Sequence, residues 1–238
     1  THRMVAVDMP GYGNSDDASA YNIALFNTVI SQVAQATGVD DGIIVGWSLG
    51  GDLALQSVSV LPNIKGYFFI GTAPVGSLAS LPPPFLTPLE SYAGVAVLYP
   101  FVGLLLPFQI NQFVRSFFRP NYPIPQMFFN DGQRCDGDTR TAILLAASGL
   151  DSGFQNEVNV LSGITVPVAL VIGEKDALIR KAYLDSLVPQ IQNLWQDQVI
   201  VVSGSGHAVQ WEMADETISM IEQFIDDFQK DQPQQQQR

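Results

Sequence analysis

Short runs of consecutive apolar residues alternate along this chain with longer segments whose apolar positions recur every three or four residues. The runs are Met4–Asp8 (MVAVD), Gly42–Gly46 (GIIVG), Gly66–Ile70 (GYFFI), Val166–Gly173 (VPVALVIG) and Gln198–Val202 (QVIVV). Their unbroken apolar character predicts strands buried on both faces, as in a parallel sheet. Between them, Tyr21–Thr37 carries Leu25, Val29 and Val33 at spacings of four and stops before Gly38, the pattern of a helix with a glycine C-cap. Leu49–Leu61 reads as a second helix. Met213–Phe228 reads as a last one, with Met213, Ile218, Ile221, Phe224, Ile225 and Phe228 on a wide apolar face. Strands alternating with helices predict an α/β fold, a mostly parallel sheet flanked by helices.

Two regions break the alternation. Pro74–Gly163 has no clear strand, nine prolines after Pro74 and several apolar segments, and it reads as a helical insertion rather than a structureless loop. Its longest apolar run, Ala93–Ile110, is interrupted by Pro100, Gly103 and Pro107 and barely reaches the length of a bilayer span, so no stable membrane span is expected. The tail KDQPQQQQR is low in complexity and is expected to be disordered.

Composition narrows the class of function. The 238 residues carry a net charge of −12, which disfavours nucleic acid and anionic lipid as partners, because both need clustered Lys and Arg. The hydrophobic share of 47% against 14% charged is that of a globular chain. Cys135 stands alone and cannot form an intrachain disulfide, and no signal segment is visible, so a cytoplasmic location is the expectation. The chain opens with Thr1, which leaves room for a removed upstream segment.

The chemistry concentrates at Gly46-Trp47-Ser48-Leu49-Gly50, a G-x-S-x-G pattern that joins a buried strand to a helix. That context is what a nucleophile elbow requires: a strained turn presents Ser48, and side chains at Gly46 or Gly50 would crowd it. The helix starting at Leu49 aims its first amides at the same point, so the Leu49 N–H is a candidate oxyanion donor. A serine hydroxyl needs a base, and the chain has only His2 and His207. His207 follows the last strand in a Gly-rich loop and fits the order nucleophile, acid, histidine. Asp176 stands at the carboxyl end of the fourth run, where it can hold and orient an imidazole; Glu174 competes two residues earlier. Asp131, Asp136 and Asp138 fail the calcium-loop pattern and read as a solvated turn. No residue cluster implies a metal or an organic cofactor.

VAVDMPGYGNS, GWSLGG, VIGEKD and GSGHAVQWEMADE occur in order between Met4 and Phe228. Together they make the chain resemble the α/β-hydrolase superfamily of serine nucleophile enzymes. The resemblance implies the α/β-hydrolase fold, with residues 1–76 and 164–229 as a discontinuous core, 77–163 as a helical lid over the substrate and 230–238 as the tail. It implies a Ser48-His207-Asp176 hydrolase acting on an ester or related acyl bond of a small substrate, with no cofactor; the oligomeric state is left open. Phe85, Phe101, Phe108, Phe113, Phe117 and Phe118 in the lid point to an apolar substrate, although lid helices also need such residues for their own core. In the family VAVDMPGYGNS corresponds to the fourth strand, so the earlier strands and the His-Gly loop that supplies a second oxyanion donor have no counterpart here. The sequence is therefore expected to be a truncated product, with a gap beside Gly42–Gly46. The resemblance leaves other readings open: cleavage of carbon–carbon bonds, lactones or prolyl peptides, acyl transfer, or a ligand-binding receptor that has lost its chemistry. Epoxide and haloalkane hydrolases of the family carry Asp at the position of Ser48, which disfavours them.

Overall fold

The computed structural model describes residues 2–76, 107–147 and 153–231. Its centre is a parallel four-stranded sheet: β1 (Ile43–Trp47), β2 (Gly66–Ile70), β3 (Val168–Gly173) and β4 (Ile200–Val202), in that spatial order. Trp47 pairs with Ile70, Ile70 with Val171, and Gly173 with Val202, so the carboxyl ends of the strands collect along one edge. Parallel strands need crossover connections, and helices cover both faces as a result. One core gathers Leu55, Phe69, Leu161, Leu170, Leu184 and Leu187 on one face of the sheet. A second gathers Phe68, Ile70, Ala169, Val171, Trp195 and Phe224 on the other. Alternate residues of β2 and β3 feed opposite cores, which is why these strands are apolar throughout.

Helix α1 (Ile23–Thr37) is capped by the Asn22 side chain, which accepts from Leu25 N–H at 2.8 Å, and ends at Gly38 with φ 65°. Its buried line is Ile23, Phe26 and Ala34, with Leu25, Val29 and Val33 only half-buried beside it. Helix α2 runs only over Leu49–Gln56; a 3-10 turn at Val58–Val60 takes up the rest of the expected segment. Ser57 helps to end it, its hydroxyl donating to Ala54 O at 2.8 Å.

Four helices connect β2 to β3 among the described residues: α3 (Pro107–Ser116), α4 (Gln126–Arg134), α5 (Gly137–Ala147) and α6 (Glu157–Gly163). The described part of this stretch is helical and contains no strand. Phe85, Phe101 and most of the Ala93–Ile110 run lie outside the described residues, as does the side chain of Phe108. Helix α7 (Lys181–Leu187) follows β3, and α8 (Val209–Glu212) and α9 (Ala214–Asp231) follow β4. The first two residues of the expected tail, Lys230 and Asp231, continue α9; the rest of the tail lies outside the described residues. Phe224 seats α9 on the sheet while Ile218, expected on the apolar face, is 55% exposed. No described helix is long and apolar enough to cross a membrane.

Met4–Asp8 is not a strand. Met4 is 82% exposed, and Val5 and Val7 are exposed with it. The reason is the lack of a ladder: β1 pairs with β2 on one side, and no described strand lies on its other side to carry pairing out to residues 4–8. Val45, in the middle of β1, is correspondingly exposed.

Candidate active site

The turn from β1 into α2 holds Ser48 at φ 50°, ψ −124°, a conformation that non-glycine residues adopt only under constraint from their surroundings. The constraint is visible. Ser48 N–H donates to Ile70 O at 2.9 Å, and the Ser48 carbonyl accepts from Gly51 N–H at 2.8 Å and from the Thr72 hydroxyl at 3.2 Å. A Cβ at Gly46 would stand 2.5 Å from the Gly51 Cα, so Gly46 is required for the turn to close. Gly50 is not: a Cβ there meets open space, contrary to the expectation from the motif. The crowded partner is Gly51, whose Cβ would stand 1.9 Å from the Thr72 Oγ1. The amides of Leu49 and Gly50 open α2 ahead of its first bonds, which the Gly51 and Asp52 N–H groups make to the Ser48 carbonyl at 2.8 and 3.3 Å.

His207 lies in the loop between β4 and α8 and is fully buried. Its Nδ1 is 2.7 Å from Asp176 Oδ2. The other oxygen of Asp176 accepts from Leu178 N–H at 2.8 Å and Ile179 N–H at 2.9 Å, so both carboxylate oxygens are engaged and the side chain is fixed. Because an ionised carboxylate only accepts, this contact assigns the imidazole proton to Nδ1 and leaves Nε2 as the basic nitrogen. Nε2 is buried and has no hydrogen-bond partner among the described residues. Gly71, at φ 55°, backs the ring: a Cβ there would be 2.8 Å from Nδ1.

The competing acids are occupied elsewhere. Glu174 is exposed, and its Oε2 accepts from Gly204 N–H at 2.7 Å and the Ser203 hydroxyl at 3.1 Å, bonds that hold its carboxyl below the usual range. Asp136 accepts from the Tyr21 hydroxyl at 2.6 Å and its N–H donates to Gly11 O, joining α1 and the Gly11 loop to α5 rather than forming a free solvated turn. His2 is exposed near the start of the chain. Burial pushes the Cys135 thiol up to about 12, so it stays protonated and weakly nucleophilic. Among the described residues no group of three His, Cys, Asp or Glu is placed to hold a metal.

The contacts around the site have no local sequence signal, although the motif contains Trp47 and the lid aromatics include Phe117. Trp47 reaches across the sheet end, its indole N–H donating to His207 O at 3.0 Å, and its ring lies 5.4 Å from that of Phe117. Phe117 follows α3 and lies 5.8 Å from the His207 ring, while its carbonyl accepts from Ala208 N–H at 2.7 Å. The Glu212 carboxylate is buried and accepts from Arg119 N–H at 2.8 Å and Gly206 N–H at 3.3 Å, tying the segment after α3 to the His207 loop. Beneath the elbow, Glu157 accepts from Val75 N–H at 2.6 Å and from the Gln56 amide at 3.0 Å. Asp52 lies close enough to Glu157 to feel its charge, with one carboxyl oxygen buried and unpartnered among the described residues. Burial first, and the Glu157 charge second, push Asp52 well above the usual carboxyl range; burial likewise pushes Glu157 up to about 8.

The sequence profile of the alpha/beta hydrolase family matches residues 1–220. The chain is 24% identical over 236 residues to the biotin biosynthesis bifunctional protein BioHC of Cellvibrio japonicus, covering 92% of this chain but spanning only 41% of that protein's length. It is 25% identical over 222 residues to the pimeloyl-acyl-carrier-protein methyl ester esterase of Yersinia pseudotuberculosis, covering 87% and 76% of the two chains. Among solved structures, the N-acyl homoserine lactonase AidH complexed with N-butanoyl homoserine superposes with a TM-score of 0.80 at 22% identity, over 97% of this chain and 80% of that one. The esterase EaEST from Exiguobacterium antarcticum gives 0.70 at 20% identity, over 92% and 80%. At these identities the two structures speak for the fold alone.

Proposed function

The chain belongs to the alpha/beta hydrolase family, and from that premise we propose that it is a serine hydrolase that cleaves an ester or related acyl bond of a small, apolar substrate. Ser48 is the nucleophile, His207 the base and Asp176 the orienting acid. The observation that carries the reading is His207: buried, held at Nδ1 by Asp176 at 2.7 Å, with Nε2 unpartnered among the described residues. An unpaired buried nitrogen costs about 1–3 kcal/mol; the partner it takes in the proposed reaction is the Ser48 hydroxyl, which makes no hydrogen bond to it in this structure, so the contact has to close when substrate binds.

In the proposed reaction His207 Nε2 takes the Ser48 proton as Oγ attacks the acyl carbon, and the imidazolium that forms is stabilised by Asp176. The oxyanion of the tetrahedral intermediate is met by the Leu49 N–H at the start of α2. Collapse expels the alcohol, which takes the proton from Nε2 and leaves Ser48 acylated. Water, deprotonated by the same nitrogen, then releases the acid. Phe113 and Phe117, 4.7 Å apart between ring centroids, and Trp47 against Phe117 form an aromatic wall beside His207, which supports an apolar acyl group. The relative named as a methyl ester esterase accords with this chemistry.

A panel of p-nitrophenyl esters of increasing acyl length tests it, with Ser48→Ala as control. The reading expects turnover that varies with chain length and disappears in the variant. Indifference to length removes the apolar substrate. Binding of esters that is the same in both proteins, with turnover in neither, replaces the enzyme with a receptor.

A further inference from the structure

A partly open cavity of about 580 Å3 lies beside the Asp176 loop. Helix α3 and the turn following it form one wall, and Lys175 and Ala177, the residues flanking Asp176, form the other. The cavity thus shares two segments with the candidate active site: Phe118 lines it, and the preceding Phe117 packs against His207. Its volume is within the range of about 300–1,000 Å3 common to small-molecule pockets.

Its charge runs against that of the rest of the molecule. The chain carries 23 Asp and Glu but only 11 Lys and Arg. Arg115, Arg119 and Lys175 all line this cavity, and among the described residues no carboxylate does. Arg119 is held in place: its Nε lies 3.5 Å from Glu212, one terminal nitrogen donates to Gly204 O at 3.3 Å, and its plane lies over the Tyr122 ring at 5.2 Å. Glu212 offsets much of that charge. The Arg115 guanidinium lies over the Phe129 ring at 5.1 Å, and neither it nor the Lys175 ammonium has an ion-pair partner within 4.0 Å among the described residues. Glu174, next to Lys175, is engaged by Ser203 and Gly204, and it also feels the Lys175 charge, which it offsets in part. Phe118, Pro120, Ile124 and Ala177 supply apolar wall between the cations. Arg115 and Lys175 line the cavity from solvent-exposed positions, so their attraction for an anion is strongest at low salt, and a guanidinium matches the two oxygens of a carboxylate or phosphate.

We propose that this cavity is an anion-recognition subsite that binds a carboxylate or phosphate group. The group is carried on the far end of the ester substrate or belongs to a separate small ligand. Only the first case rests on the ester-hydrolase reading.

The test uses the full chain, with Arg115→Gln, Lys175→Gln and the charge-preserving Arg115→Lys. Isothermal titration with inorganic phosphate and with succinate at low salt reads the subsite directly, without reference to turnover. Saturable binding is expected, weakened about tenfold in each Gln variant and restored in part by Arg115→Lys, as the loss of a charge-assisted contact implies. In parallel, KM is measured for two p-nitrophenyl esters of equal acyl length, one ending in methyl and one in carboxylate. If the anion is carried on the substrate, the ratio of the carboxylate ester's KM to the methyl ester's rises about tenfold in the Gln variants. If the ligand is separate, that ratio holds while the titration still weakens. Either result supports the subsite and identifies its source. Absence of saturable binding together with an unaltered ratio overturns it. A chain that binds the anions but hydrolyses no ester refutes the hydrolase reading and leaves the subsite standing.

Discussion

Replacing Asp176 by Asn exchanges one carboxylate oxygen for an NH2 and so turns one acceptor into a donor. The wild-type carboxylate accepts from Leu178 and Ile179 N–H through Oδ1 and faces His207 Nδ1 through Oδ2 at 2.7 Å. The amide of Asp176→Asn has one acceptor, and the two backbone donors claim it. Turning the amide over would aim its NH2 at both of them and leave two buried donors unpaired, at about 2–6 kcal/mol. The NH2 therefore points at His207 Nδ1, which must become the acceptor, and the imidazole proton moves to Nε2. His207 then presents a donor to Ser48 and cannot act as its base. The expected loss in kcat is about 10^4-fold, equivalent to about 5 kcal/mol of transition-state stabilisation. Steady-state hydrolysis of a p-nitrophenyl ester measures it, with thermal unfolding run alongside to show that the variant is folded. A folded Asp176→Asn that loses less than about tenfold in kcat refutes the assignment of Asp176 and the tautomer argument with it.

The remaining predictions concern the scaffold around the site. Gly51→Ala drives a methyl to within 1.9 Å of Thr72 Oγ1 and is expected to destabilise by about 1–3 kcal/mol. Gly50→Ala meets open space and is expected to be neutral or to stabilise by up to about 1 kcal/mol; thermal unfolding of the pair checks both, and equal effects would contradict the elbow geometry. Asp52 and Glu157 have folded-state pKa values raised above their unfolded ones, so the neutral forms favour folding. The stability they contribute is full below the unfolded values and is lost as pH rises, across 4.5 to about 8 for Glu157. Asp52→Asn is permanently neutral there and should flatten the fall of Tm with rising pH; a slope equal to wild type would contradict a shared buried charge. Glu212→Ala leaves the Arg119 and Gly206 amides unpaired and should lower Tm by about 5–10 °C and reduce activity through the His207 loop, whereas an unchanged Tm would remove Glu212 from that role.

The central strands are legible in the sequence because β2 and β3 are buried on both faces, and only uninterrupted apolar runs can do that. The positions of the proposed triad are legible for a related reason: Ser48, Asp176 and His207 each follow the end of a strand, and the proposed chain order of nucleophile, acid and histidine leaves few alternatives. The misreadings share a cause as well. Met4–Asp8 has the composition of a strand, but composition does not supply a neighbour to pair with. Ile218 and the Leu25–Val29–Val33 line satisfy helical spacing, yet the face a helix buries is chosen by what it packs on. The motif draws attention to Gly50, while the residue that closes the elbow is Gly51, because Thr72 arrives from β2. Glu212 on Arg119 and Gly206, Trp47 on His207, and Glu157 on Gln56 and Val75 join residues that are distant in the chain or separated by a turn. None has a local pattern to announce it.

The reaction proposed here depends on His207 activating Ser48. A fluorophosphonate probe reports that directly, because phosphonylation needs an activated serine and leaves a covalent adduct that intact-protein and peptide mass spectrometry can locate. One adduct is expected, on the peptide containing Ser48, absent from Ser48→Ala and strongly slowed in a folded His207→Ala. An adduct formed at the same rate without His207, or a folded wild-type chain that forms none, would contradict it.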